Sequence, residues 1–291
     1  MSKREEIKDG FSSSNRKSGL VYTKILGWID LGHACGDDAK RLKAILFEEK
    51  DRKYFPEFND WYFPVDYFQE MVKHLRFGLD LWAGVHAPLM VRSCLSNEMK
   101  KRIALTIMKQ TAWRFEAFQA TTMIAKFTDS GFSGEDLVSD LLGFYRVFGT
   151  GIDPLILAMP TTKNYALSIW DHYGPIGNFK NKEFRPLLFP QPVPPKKQTP
   201  RKGYLPSWLN YIQPLNDLNE NSLSNRHYDA PKNNFFPDNN RLNEELYVSL
   251  RRKPSKEDNL LRQKNFEMPS HFYINNHKPS SPDYFHSTNN F

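Results

Sequence analysis

The 291-residue chain has only two cysteines, Cys35 and Cys94, too few for a disulfide framework. The pattern fits reduced thiols in a cytosolic protein, and no four-ligand Cys/His zinc spacing is present. No stretch approaches the roughly 18 consecutive apolar residues of a membrane-crossing helix. The opening run MSKREEIKDGFSSSNRKSG is charged and has no apolar centre, so it does not read as a secretory signal. The protein is therefore expected to be cytoplasmic as synthesised, and any export would be signal-peptide-independent. The sequence also lacks GxSxG, HExxH, a P-loop and GxGxxG, which counts against serine-hydrolase, zincin, nucleotide-triphosphatase and dinucleotide-binding chemistry. No internal repeat is visible.

Apolar residues make up 40% and aromatics 14% of the chain, enough for a sizeable core. The mean hydropathy of -0.62 is nevertheless low, which points to a polar segment diluting a normal domain. Composition places a flexible leader at 1–18, a core domain at 19–190 and a basic Pro/Asn-rich tail at 191–291. The tail reads as mostly disordered, with short segments able to dock on a partner or on the core. A net charge of +7 favours an anionic surface or an unknown protein partner, reached through that tail. The cations are scattered, so nucleic acid is an unlikely partner.

Periodicity makes the core mainly α, a single helical domain after a short strand or hairpin arm at 20–31. A helix is predicted over DDAKRLKAILFEEK, with acids in its first turn. Another is predicted over VDYFQEMVKHLRFGLDLW, where Val65, Phe68, Met71, Val72 and Leu75 recur at helical spacing. The best-defined helix has Ser96 as N-cap and Met99, Ile103, Ile107, Thr111 and Phe115 down one face, ending near Lys126. Ser133 and Asp136 open a further helix in the manner of a capping box. NYALSIWDHY gives a short one, and RLNEELYVSL in the tail reads as one or two helical turns.

A plain helical core does not need one set of polar residues. Glu116 has Ala112, Trp113, Gln119 and Ala120 as helical neighbours; such a face desolvates a carboxylate, raises its pKa and suits it to acid or base work. The alternative is a carboxylate at the core edge paired with Arg114 or another base. His33, within DLGHACGDDA, could be a base oriented by Asp30 or a metal ligand, or it could satisfy a loop hydrogen bond. Nothing near Cys35 marks a stabilised thiolate. Asp129, Glu135 and Asp136 follow in TDSGFSGEDLVSD. Asp140 lies four residues after Asp136, a like-charge spacing that a cation or a shared proton would relieve.

The run FTDSGFSGEDLVSDLLGFYR resembles an uncharacterised bacterial protein family sharing the phrase F-S-x-E-D-L-x-S-N-L-L-G. Its members also carry an earlier D-L-G-H or D-L-A-H, and an aromatic-then-Glu helix between the two. Here these read Phe132 through Gly143, Asp30-Leu31-Gly32-His33, and Trp113 through Glu116, so the likeness covers roughly residues 20–185. The chain departs from it at Asp140, where Asn is usual. It departs again at Arg114-Phe115, where a His directly before the Glu is common, and that loss counts against a two-histidine metal site. The resemblance implies that His33, Glu116 and the Glu135–Asp136 pair converge in space, and it carries no reaction.

Three functions follow from these residues. The first is a hydrolase, directed in its concrete form at a cell-envelope polysaccharide and effector-like, with Glu116 as acid or base, Asp129 or Glu135 as second carboxylate and His33 assisting. The second is a non-enzymatic bacterial interaction protein that docks through its tail. The third is a metal-dependent enzyme using His33, Glu116 and Asp140 with Glu135, a divalent metal being the one cofactor these residues admit.

Overall fold

The computed structural model describes residues 2–12, 17–56, 58–75, 78–120, 131–193, 195 and 198–215, together with the backbone of 223–225 and 245–252. In chain order the strands are β1 (Leu20–Thr23), β2 (Gly27–Asp30), β3 (Lys53–Phe55), β4 (Asp60–His74), β5 (Leu79–Arg92), β6 (Leu187–Leu188), β7 (Arg201–Lys202), β8 (Leu223–Asn225) and β9 (Glu245–Arg252). The helices are α1 (Asp37–Glu48), α2 (Asn97–Gln119), α3 (Asp136–Phe148), α4 (Pro154–Leu157) and α5 (Lys163–Tyr173). The fold is thus α/β, with two sheets, and not the mainly α domain that periodicity suggests. No helix among the described residues is long and apolar enough to cross a membrane.

The chain forms two compact units, one of Met1–Lys50 with Ser93–Asn216 and one of Asp51–Arg92 with Asp217–Phe291. In the first, β1 and β2 form an antiparallel hairpin, extended through β6 to β7. Tyr22 and Trp28 of the hairpin are buried with Ile169 and Trp170 of α5, Ile7 and Phe189. The Tyr22 hydroxyl donates to the Phe189 carbonyl (2.8 Å) and accepts from its amide (3.0 Å), so the buried phenol has both partners it needs. Helices α1, α2 and α3 pack on one another through Leu42, Leu46, Ile103, Ile107, Leu141 and Phe144, all buried. Ser96 caps α2 by accepting from the Met99 amide.

The second unit overturns the helix predicted over 65–82. β4 and β5 pair antiparallel from Tyr62↔Arg92 to His74↔Asp80, β3 adds to β4, and β8 and β9 pair with β5. The helical spacing of Val65, Phe68 and Met71 is real, but Trp61, Tyr62, Phe63, Val65, Tyr67 and Phe68 favour a pleated surface. Cross-strand pairing over the whole length then overrides a locally helical period. Of RLNEELYVSL, residues 245–250 lie in β9 rather than in helical turns, and 241–244 lie outside the described residues.

Both ends of the predicted core extend further than composition implies. Ile7, in the predicted leader, is completely buried, and the Lys8 amide donates to the Leu20 carbonyl. Beyond residue 190, Leu209, Ile212 and Leu215 are buried in the first unit. The Tyr145 hydroxyl holds the Ile212 backbone, and Thr106 Oγ1 accepts from the Leu215 amide. Docking through the far tail, 253–291, concerns residues outside those described. Leu209→Ala should destabilise the protein by about 2–5 kcal/mol if this segment belongs to the core. Urea unfolding would measure it, and an unchanged midpoint would separate residues 198–215 from the cooperative unit.

Candidate functional site

The site begins with a contact between two backbones. Residues 33–35 make a single 3-10 turn that ends at Gly36, in the left-handed region at φ 70°, and α1 starts immediately after. A Cβ on Gly36 would lie 2.5 Å from the Gly143 carbonyl oxygen, and one on Gly143 would lie 2.7 Å from that of His33. Only glycine at both positions lets the turn rest directly on α3. Side chains then clip it in place. Arg146, held by Asp153 at 2.9 and 2.7 Å, donates to the Ala34 carbonyl (2.9 Å), and the Asp30 amide donates to Ser139 Oγ (2.9 Å).

This docking sets His33 over Asp140, one helical turn before Gly143. His33 Nδ1 lies 2.9 Å from Asp140 Oδ1, with the imidazole side chain 34% exposed and the carboxylate 9%. Burial works against the imidazolium, but its contact with Asp140, helped by the charge of Asp30, outweighs it and holds the His33 pKa well above 6.5. Asp140 Oδ2 is buried without a hydrogen-bond partner among the described residues. Asp30, expected to orient His33, instead accepts from the Gly32 amide (2.6 Å) and the His33 amide (3.4 Å). It caps the turn, and orientation of the ring falls to Asp140.

Behind this pair lies a set of buried carboxyls. Glu116 is 1% exposed, and its Oε2 accepts from the Phe132 amide at 2.6 Å. Burial, opposed by the charge of His33 and by that amide, pushes its pKa up from 4.5 to about 7. It shares a hydrogen bond with Asp136, whose pKa is raised well above 3.8 by burial and then by the charges of Glu116 and Glu135. Asp136 keeps the proton and donates; two buried carboxylates in contact cannot both ionise. Its Oδ2 also accepts from the Ser133 amide at 2.9 Å, the capping-box half expected there. Glu135 is buried, accepts from Ser2 Oγ (2.8 Å) and Ser133 Oγ (2.5 Å), and has its pKa raised by burial.

The structure therefore brings His33, Glu116, Glu135 and Asp140 together, along with Asp136, whose place in a first helical turn conceals its role as proton holder. Asp129 lies outside the described residues. As a divalent-metal set, His33, Glu116 and Asp140 are not assembled: among the described residues no three His, Cys, Asp or Glu side chains are arranged to hold an ion. The physical reason is that Nδ1 of His33 already faces Asp140, while Glu116 is engaged by an amide and a carboxyl. Cys35 is half-buried, and burial pushes its thiol up, away from a reactive thiolate. Ser139, Gly36 and Gly143 shape the site and escape a search for titratable residues; the paired glycines in DLGHACG and LLGFY are the signal that would have found them.

A comparison with family models, curated proteins and solved structures finds no match to the chain. The chemistry rests on the geometry alone. The arrangement can hold an oriented imidazolium at the surface and store protons on carboxyls beneath it.

The cluster has a sign that stability measurements can read. Unfolded, Glu116 releases its proton near 4.5, and folded it holds it to about 7, so between these values the folded state binds more protons. Stability must then fall as pH rises through that window, on the order of 3 kcal/mol for Glu116 alone. Glu135 and Asp136, also raised, act in the same direction. The contribution of His33, raised from 6.5, is fully present below 6.5 and is lost as pH climbs through the folded value. Asp37 and Asp153, both lowered, contribute stability that is lost on acidification instead. Urea midpoints for wild type should decline from pH 4.5 to 7, and Glu116→Gln should flatten the decline; identical slopes would contradict a raised Glu116.

Proposed function

We propose that the protein is a hydrolase working by acid–base catalysis, with His33 as the group that meets substrate and Asp140 as its orienting partner. The observation carrying this is the 2.9 Å His33–Asp140 contact, made by a ring that solvent still reaches. An imidazole locked at Nδ1 presents Nε2 outward in one orientation, the arrangement that a proton-transfer residue requires. With its pKa raised, His33 is charged at neutral pH and acts as the acid: it delivers its Nε2 proton to the departing oxygen as water adds to the scissile bond, the added water releases a proton to solvent, and His33 is reprotonated from solvent. The Asp140 carboxylate stays beside the ring and steadies the imidazolium before transfer.

Glu116 has a different role from the one its residue type suggests. At 1% exposure it does not reach a substrate, so it is a positioning and proton-holding residue whose charge tunes His33 from below. Glu135, tied to Ser2 and Ser133, is held equally far from solvent. The buried carboxyls do not flank a substrate bond as the pair in a glycoside-hydrolysing centre does, so a cell-envelope polysaccharide is put forward as the substrate class for its oxygen leaving group, which an imidazolium acid can protonate.

Release of soluble fragments from purified peptidoglycan sacculi tests the reading. His33→Ala should lower the rate by about 10²–10⁴ and Asp140→Asn by about 10–100, with circular dichroism unchanged. Because Asp140 holds the His33 proton, Asp140→Asn should also move the alkaline limb of the pH–rate profile to lower pH. Folded wild type that leaves sacculi intact removes the polysaccharide substrate. Turnover that both variants retain removes His33 from the chemistry.

A further inference from the structure

Near the buried Glu116 the first unit carries a concentrated positive surface. Residues 180–185 and 201–204 contain Lys180, Lys182, Arg185, Arg201 and Lys202 against one acid, Glu183. The β6–β7 pairing, Leu187↔Lys202 and Leu188↔Arg201, brings the two segments together, and Arg185 Nε donates to the Gly203 carbonyl at 3.0 Å. Helix α2 adds a sixth cation, since Lys109 Nζ sits 5.0 Å above the Phe184 ring. The surface is joined to the site through Phe132, whose amide holds Glu116 and whose ring lies 5.4 Å beneath Lys182 Nζ. Trp113, one turn before Glu116 on α2, packs on the same Phe132 ring and donates from Nε1 to the Lys182 carbonyl.

We infer that this surface binds an acidic polysaccharide, an inference that rests on the reading of the substrate as a polysaccharide and narrows it to a carboxylate-bearing one. Glu183 is already neutralised by Lys202 and Arg185. Lys109, Lys180, Lys182 and Arg201 have no carboxylate partner among the described residues, and the last three are exposed, so their charge faces outward uncompensated. Burial pushes the Lys109 ammonium pKa down, a cost that an anion bound beside it would relieve. The aromatic rings decide between classes of polyanion. Phe132, Phe184 and Tyr204 each have a cation over a face, at 5.4, 5.0 and 4.8 Å. Single-stranded nucleic acid is gripped by successive bases stacking on a run of open rings; here Phe132 is buried and Phe184 half-buried, and of the three only Tyr204, 83% exposed, is open. What remains is a row of cations on short, hydrogen-bonded segments, which suits repeating carboxylates on a sugar chain.

The test uses the full chain carrying His33→Ala, so that binding is read without turnover. Fluorescein-labelled polygalacturonate, neutral dextran of similar length and an oligothymidylate are titrated by anisotropy at several salt concentrations. Polygalacturonate should bind and dextran should not. Reversing Lys180, Lys182 and Arg201 to Glu together should weaken binding at least about tenfold and flatten its salt dependence. Should the triple variant fail to fold, Lys182→Gln alone should still lower both affinity and salt slope. No binding, affinity indifferent to these substitutions, or tighter capture of the oligothymidylate would overturn the inference, the last assigning the surface to nucleic acid. Polygalacturonate binding by a protein whose wild type cleaves no glycan would remove the hydrolase reading and leave the surface. Sacculus cleavage without polygalacturonate binding would do the reverse.

Discussion

The close approach of the Gly36 and Gly143 backbones governs the rest of this site. A turn carrying an imidazole and a helix carrying two acids would ordinarily be kept apart by their own side chains. With a Cβ at either glycine the turn would have to lift off α3. His33 would then no longer meet Asp140, and Arg146 would no longer reach the Ala34 carbonyl. The neighbouring hydrogen bonds, Asp30 to Ser139 and Arg146 to Asp153, maintain a geometry that the glycine pair makes sterically available.

Gathering carboxyls inside a protein is costly unless protons or cations accompany them. The molecule handles the cost in two ways. Near the chain reversal after α1, the buried Glu49 is matched by the buried Lys100 at 2.7 Å and by the Cys94 amide, a closed ion pair. In the α2–α3 cluster three buried carboxyls face one histidine, and retained protons do the work a second cation would do. The first arrangement is inert, because each charge has a permanent partner. The second can exchange protons close to neutrality, which is why it, rather than the Glu49 pair, is the candidate for chemistry. Ser2 closes over Glu135 and makes the N-terminal segment part of that enclosure.

Helix α2 links this cluster to the positive surface beside it. Its residues Lys109, Trp113 and Glu116 fall at helical spacing, so one face runs from a desolvated ammonium, past an indole, to a desolvated carboxyl. Phe132 lies across the last two and separates a region of positive potential from one of negative potential. A polyanion held on the first would be kept out of the second by its own charge, unless the protons on Glu116 and Asp136 had already quenched it.

The helices around the site were legible because their signals are local. Ser96 caps α2, the Ser133 amide donates to Asp136 at the start of α3, and the small, aromatic neighbours of Glu116 announce a desolvated carboxylate within a single turn either side. These depend on residues three or four apart and survive without knowledge of the fold. Residues 60–92 were misread for the opposite reason. Their strand character is decided by pairing with one another and with segments well over a hundred residues away, and a local apolar period cannot register that. The same distance hid the choice of Asp140 over Asp30 as partner for His33: Asp30 is three residues away, and Asp140, over a hundred residues away, is brought in by the glycine contact. The sequence by itself determined which residues are out of place in an apolar core. Only the tertiary structure decided which of them touch, because charge and burial act through space and the chain brings together two glycines that stand over a hundred residues apart.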